Sequence, residues 1–100
     1  MIKHIVLWKL KNTANGHDRA MNAGIIKARL EALNGRIPGM MKLEVGVDYS
    51  CVDGSWDVAL YSEFVSRQAL SDYQTHPEHE AVKAFVMSVR DDRAVADYEV

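Results

Sequence analysis

Apolar positions recur with period two over residues 2–10, where Ile2, His4, Val6, Trp8 and Leu10 alternate with Lys3, Ile5, Leu7 and Lys9. The centre of both sets is apolar, so the pattern predicts a strand covered on both faces. A polar loop, Asn12 to His17, follows with Asn15-Gly16 as its turn signal. Asp18 then fits an N-cap, and Met21, Ile25, Ala28 and Ala32 fall on one face of a helix. Gly24 lies beside that face, where it would let the helix approach a sheet closely. Asn34-Gly35 and Pro38 mark the stop. Met40 to Tyr49 reads as a second strand, with Leu43, Val45, Val47 and Tyr49 opposite Lys42, Glu44, Gly46 and Asp48. One apolar face and one polar face suit an edge position. Asp53-Gly54 in the segment Ser50 to Ser55 predicts a hairpin connection to a third strand, Trp56 to Val65.

Ser66 is placed to cap a short helix carrying Leu70 and Tyr73 and ending near Gln74. Pro77 disfavours a helical conformation at His76 but is well tolerated as the first residue of a new helix. A second helix therefore runs from Pro77 to about Arg90, with His76 as N-cap. Glu78 and Glu80 fall where its dipole favours negative charge. Val82, Phe85, Val86 and Val89 form its apolar stripe, and His79 sits at the edge of that stripe, half desolvated. Asp91-Asp92 ends it. Arg93 to Val100 reads as a last strand with Ala94, Ala96, Tyr98 and Val100 on one side.

The order βαββαβ predicts an α+β, ferredoxin-like domain: a four-stranded antiparallel sheet with helices on one face. Ile5, Leu7, Ala59 and Tyr61 would then lie on the uncovered face. A second copy of the same face is the simplest cover, which predicts a homodimer.

Composition narrows the possibilities further. One hundred residues, 48% of them hydrophobic and 26% charged, fit one globular domain spanning residues 1–100. A net charge of −2 offers no basic excess to neutralise phosphates, which argues against a nucleic-acid partner. The single cysteine, Cys51, allows no intrachain disulfide or cysteine metal cage and fits a reducing cytoplasm. Near the start, the apolar run Ile5–Trp8 is too short for a signal peptide or membrane span. No metal site is expected. His76 and His79 are three apart, but His76 is a cap, and Glu78 and Glu80 supply no obvious third ligand.

Several segments resemble the Dabb family, the stress-responsive A/B barrel domains. They are Met1-Ile2-Lys3-His4-Ile5-Val6, Ile37-Pro38-Gly39-Met40 and Val45-Gly46-Val47-Asp48. Asp72-Tyr73 leading to His76-Pro77-Glu78-His79, and Asp97-Tyr98, complete the set. The resemblance runs nearly end to end, and its most specific part is His-Pro-x-His. It implies a dimeric α+β barrel in which two sheets join back to back. It also implies a choice of roles, since a plant polyketide cyclase of this family has a catalytic tyrosine and histidine matching Tyr73 and His79, with a further histidine matching His4. Other members are stress-associated dimers with no known chemistry.

A cyclase of that kind removes a proton from a carbon next to a carbonyl, which needs no cofactor. It needs a base with a pKa near working pH, as histidine has, and a donor for the developing oxyanion, as tyrosine has. His79 with Tyr73 fits those roles, with His79 oriented by Tyr73 or by a backbone carbonyl. His4, Val6 and Trp8 share one face of the first strand, and Val58, Leu60 and Ser62 form the matching wall on the third. With Phe85 from the last helix, they outline a pocket for a hydrophobic or aromatic small molecule. Each residue also has a plain structural role open to it: His76 as a cap, Tyr73 as a core aromatic, His4 as a buried hydrogen-bonded histidine. Trp8 could fill the space itself.

Overall fold

The computed structural model describes residues 1–100. Strand β1 (Ile2–Leu10) is followed by a two-residue hairpin, β2 (Thr13–Ala14) and β3 (His17–Asp18), and then by helix α1 (Arg19–Glu31). Next come β4 (Met40–Val47), β5 (Val58–Phe64), α2 (Arg67–Thr75), α3 (Pro77–Val89) and β6 (Arg90–Glu99). The main sheet has the order β4-β5-β1-β6, all antiparallel, so β4 and β6 are edges. This is the ferredoxin-like arrangement, with all three helices on one side of the sheet.

Local chemistry sets the boundaries. The Asp18 carboxylate accepts from the Met21 amide at 2.8 Å and starts α1. The Ser66 hydroxyl accepts from the Ala69 amide at 3.1 Å and starts α2. His76, extended at φ −63° and ψ 133°, ends α2 and begins α3, and its Nδ1 accepts from the Glu78 amide at 3.2 Å. The break before Pro77 lies where proline sterics place it.

Helix α1 presents a different face from the one its sequence suggests. Asn22, Ala23, Ile26, Leu30 and the following Leu33 are buried, while Met21 is 54% exposed and Ala28 and Ala32 face water. Two stripes compete on this helix because Ile25 and Ile26 are adjacent. The one with Ile26, Leu30 and Leu33 buries more apolar volume. Its polar member, Asn22, is accommodated by donating to the carbonyls of Ala14 and His17, at 3.1 and 3.4 Å. Gly24 is exposed, with open space where a Cβ would stand, so it serves no close packing.

Other edges shift too. β4 ends at Val47, and Tyr49 is almost wholly exposed. The β4–β5 connection is a long loop, residues 48–57, rather than a tight hairpin. Asp57 anchors that loop to β1: its carboxylate accepts from the Leu10 amide at 2.7 Å and its amide donates to the Trp8 carbonyl at 2.9 Å. β6 starts at Arg90, directly after α3, so Asp91 and Asp92 lie in the strand.

Register decides which side chains share a face. His4, Val6 and Trp8 pair with Asp97, Val95 and Arg93 on β6, and with Ser62, Leu60 and Val58 on β5; all of these face the helices. Ile5, Leu7, Ala59, Tyr61, Ala94 and Ala96 face away. Of β1, the inner residues are buried and the outer ones, Lys3, Ile5 and Leu7, only half-buried. Within one chain, β1 is therefore covered on one side alone.

Candidate functional site

Between the inner sheet face and helices α1 and α3 lies a cavity of about 310 Å³. That is the lower end of the range for small-molecule sites. Val6, Trp8 and Leu60 from the sheet, and Leu30, Val82 and Val86 from the helices, supply apolar wall. Trp8 is 6% exposed and forms part of that wall without filling the space. The other three expected wall residues are elsewhere. Val58 is fully buried nearer the loop end of β5. Ser62 lies beneath the site and donates its hydroxyl to the His4 carbonyl at 3.0 Å. Phe85 turns toward α1, where the Arg29 guanidinium stacks over its ring at 4.5 Å. Phe85, three residues after Val82, belongs to the apolar stripe of its helix and still faces the neighbouring helix instead of the sheet.

Tyr73, His79 and His4 all line one end of the cavity. The break at His76 makes this possible, because it sets Tyr73 in the last turn of α2 against His79 in the first turn of α3. Their rings stack, with centroids 4.0 Å apart and planes 28° from parallel. Phe64 backs the tyrosine ring at 5.1 Å, and His4 meets it edge-on at 6.3 Å.

His79 is oriented by a backbone carbonyl and not by Tyr73. Gln74 lies in the last turn of α2, where carbonyls have no intrahelical partner. Its oxygen lies 3.4 Å from His79 Nδ1 and accepts from Lys83 Nζ at 3.2 Å. A carbonyl only accepts, so Nδ1 carries the proton and the lone pair of the neutral ring sits on Nε2. Burial is the main cause that lowers the pKa of His79 below the ordinary histidine value, with the Lys83 charge adding to it. The ring is thus held as a free base at neutral pH.

Tyr73 behaves oppositely. Its residue is 1% exposed, and burial pushes the phenol well above the usual tyrosine range. No protein group within the chain accepts its hydroxyl proton, so this phenol is a donor with an unused hydrogen bond. His4 pairs through Nδ1 with the carboxylate of Asp97, its register partner on β6. That fixes its ring by the same logic, leaving Nε2 as the second nitrogen.

Asp97 was visible in the sequence only as part of a motif; its role as partner of His4 follows from antiparallel register. Lys83, Arg90 and Arg93 also line the cavity, although no sequence motif gives any of them a role. The spacing His79–Lys83–Arg90, four and then seven residues, was the available signal for two of them. His76, by contrast, is occupied as a cap. No group of three or more His, Cys, Asp or Glu side chains comes together anywhere in the chain.

Comparisons with known proteins agree with this architecture. The family model described as Stress responsive A/B Barrel Domain matches residues 2–100. A dimeric protein of unknown function and ferredoxin-like fold from Bacteroides fragilis is 36% identical, with a TM-score of 0.85, covering 99% of this chain and 95% of its own. A dimeric ferredoxin-like protein from Thermobifida fusca, also of unknown function, is 23% identical, with a TM-score of 0.85 and coverage of 99% and 90%. The hydroxynitrile lyase of Passiflora edulis is 18% identical, with a TM-score of 0.78 and coverage of 97% and 90%; at that identity it shows the fold alone. None of the curated proteins matches.

Proposed function

This chain belongs to the stress-responsive A/B barrel family, and from that premise we propose that it is a homodimer that binds a hydrophobic or aromatic small molecule in the cavity and acts on it by cofactor-free acid–base catalysis. The carrying observation is the stacked pair at the cavity's end: a histidine held as free base beside a tyrosine held as donor. Two neighbouring groups whose pKa values are pushed apart form an acid–base set with assigned roles.

The reaction class follows from those roles. His79 Nε2 takes a proton from a carbon next to a carbonyl, and the Tyr73 hydroxyl donates to the oxygen on which negative charge develops. The resulting carbanion attacks a second carbonyl of the same molecule, which is a cyclisation of the polyketide cyclase type. His4, fixed by Asp97, offers a second nitrogen for relaying the proton to the new alkoxide. The fold also carries an enzyme in the Passiflora hydroxynitrile lyase, which supports a catalytic use of this architecture.

The homodimer reading is supported by the dimeric relatives and by the apolar outer face. A cytoplasmic location is supported by Cys51, a free and exposed thiol. No helix is long and apolar enough to cross a membrane.

Deuterium exchange at the carbon next to the ketone of 4-phenyl-2-butanone and its longer homologues, followed by NMR, tests the catalytic step. The wild-type protein is expected to accelerate exchange, and His79→Ala to lose about 10²- to 10⁴-fold of that rate with the dimer intact. Binding of these ketones without accelerated exchange would leave a ligand-binding protein and remove the catalytic reading. Neither binding nor exchange would leave the stress-associated structural dimer.

A further inference from the structure

The far end of the cavity differs in chemistry from the end that holds Tyr73 and His79. Of the 14 residues that line the whole cavity, three are cations, Lys83 beside His79 and Arg90 and Arg93 at the far end, and none is an acid. This is a local reversal in a chain whose net charge is −2. Lys83 is already engaged, 2.9 Å from Glu80 and bonded to the Gln74 carbonyl. Arg90 and Arg93 are not: neither guanidinium forms an ion pair or side-chain hydrogen bond within the chain, whereas Arg19, Arg36 and Arg67 each reach a carboxylate.

Register places these arginines. Arg93 pairs with Trp8, and Asp97 pairs with His4, on the same inner face. Four residues separate His4 from Trp8, about 13 Å at about 3.3 Å per strand residue. Arg90 opens β6 directly after α3, at that same end. The apolar wall of Val6, Leu60, Val82 and Val86 lies between, with Trp8 beside Arg93. One end of the cavity therefore carries the acid–base pair, the middle is apolar, and the other end carries two free guanidinium groups. A planar guanidinium matches a carboxylate bidentately, and an arginine with no internal partner loses no existing bond when it binds one.

We propose that the ligand of this cavity is an elongated hydrophobic or aromatic carboxylate, gripped by Arg90 and Arg93 at its acid end while its far carbonyl region lies against Tyr73 and His79. It rests on the cavity reading given above and adds the charge and the orientation of the ligand. The anion selects one direction of entry, since the reversed ligand would leave its carboxylate against Tyr73 and beside Lys83, whose ammonium is already shared between Glu80 and the Gln74 carbonyl, away from both guanidinium groups.

Calorimetric titration of the intact protein with 6-phenylhexanoate and with 6-phenylhexan-1-ol tests it, because the two probes match in length and differ in charge. The carboxylate is expected to bind at least tenfold more tightly at low salt, with the gap shrinking as salt is raised. Arg90→Gln with Arg93→Gln should abolish the preference by weakening carboxylate binding at least tenfold, and Arg90→Lys with Arg93→Lys should restore part of it. Equal affinity for both probes in the wild-type protein would overturn the anion proposal while the apolar cavity stands. A preference that survives the double glutamine variant would overturn the assignment to these arginines. Binding of neither probe would overturn the proposal together with the cavity reading beneath it.

Discussion

The two faces of the sheet depart from the ordinary hydrophobic pattern in opposite directions. The helix-facing side should be all apolar, yet it carries His4, Ser62 and Asp97, and Tyr73 and His79 from the helices meet it. The outward side should be polar, yet it carries Ile5, Leu7, Ala59, Ala94 and Ala96 in its centre. A buried polar group costs free energy unless it is paired, and an exposed apolar patch lowers solubility unless it is covered. Polar groups where apolar ones would pack better point to a ligand. Apolar groups where polar ones would hydrate better point to a partner. The residues around the outer patch agree, since Lys3 and Lys42 stand over the Tyr61 ring and form a charged rim.

The comparison breaks most visibly on the outer face. Ile5→Asp combined with Leu7→Asp should weaken dimerisation by at least about 1000-fold. Each side chain is worth roughly 1.5–3 kcal/mol when buried, and symmetry counts each twice. Sedimentation velocity at micromolar concentration would then show a monomer; a persisting dimer would place the interface elsewhere.

A fold-wide defect is next in size. Gly39 has φ +78°, and a Cβ there would meet the Ala69 Cβ at 2.6 Å. Gly39→Ala should cost about 2 kcal/mol in urea unfolding, whereas Gly24→Ala, in open space on an exposed helix face, should stabilise by up to about 1 kcal/mol. Equal effects at both glycines would contradict these two environments.

The acid–base pair gives a smaller effect that can still be measured. The His79 ring should titrate by NMR below the ordinary value of 6.5. Its folded pKa is depressed, so the unfolded chain binds more protons between the folded and unfolded values. This residue's contribution to stability is therefore complete above about 6.5 and is lost as pH falls through the folded value. Replacing His79 with Phe should flatten that acid-side slope. A midpoint above 6.5 would show that a carboxylate partner dominates and not burial.

Tyr73→Phe should have the smallest effect on stability, within about 0.5 kcal/mol, because the hydroxyl it removes bonds nothing within the chain. Ketone exchange should nevertheless fall by roughly 10-fold or more through loss of the oxyanion donor. A large loss of stability without a change in exchange rate would assign Tyr73 to the core alone.

The order of the four main-sheet strands and of the helices, the break at His76-Pro77, the caps at Asp18 and Ser66 and the edge position of β4 were all legible in the sequence. They depend on neighbours within a few residues, and on backbone and side-chain sterics that act at that range. The pairing of Tyr73 with His79 was legible for the same reason, since one proline fixes the turn between them. What lay beyond reach depended on distant segments. Helix α1 held two apolar stripes, and only the volume of the sheet beneath it selected Ile26 and Leu30 over Met21 and Ile25. Phe85 belonged to an apolar stripe, but the neighbouring helix decided that it would face Arg29. Asp97 and Arg93 took their places through the register of β6 on β1, and a shift of one residue would have turned both outward. The sequence by itself determined which elements form and which residues could do chemistry, because those preferences are local. Tertiary structure alone decided which of them share a cavity, because that follows from register and packing between strands and helices far apart in the chain.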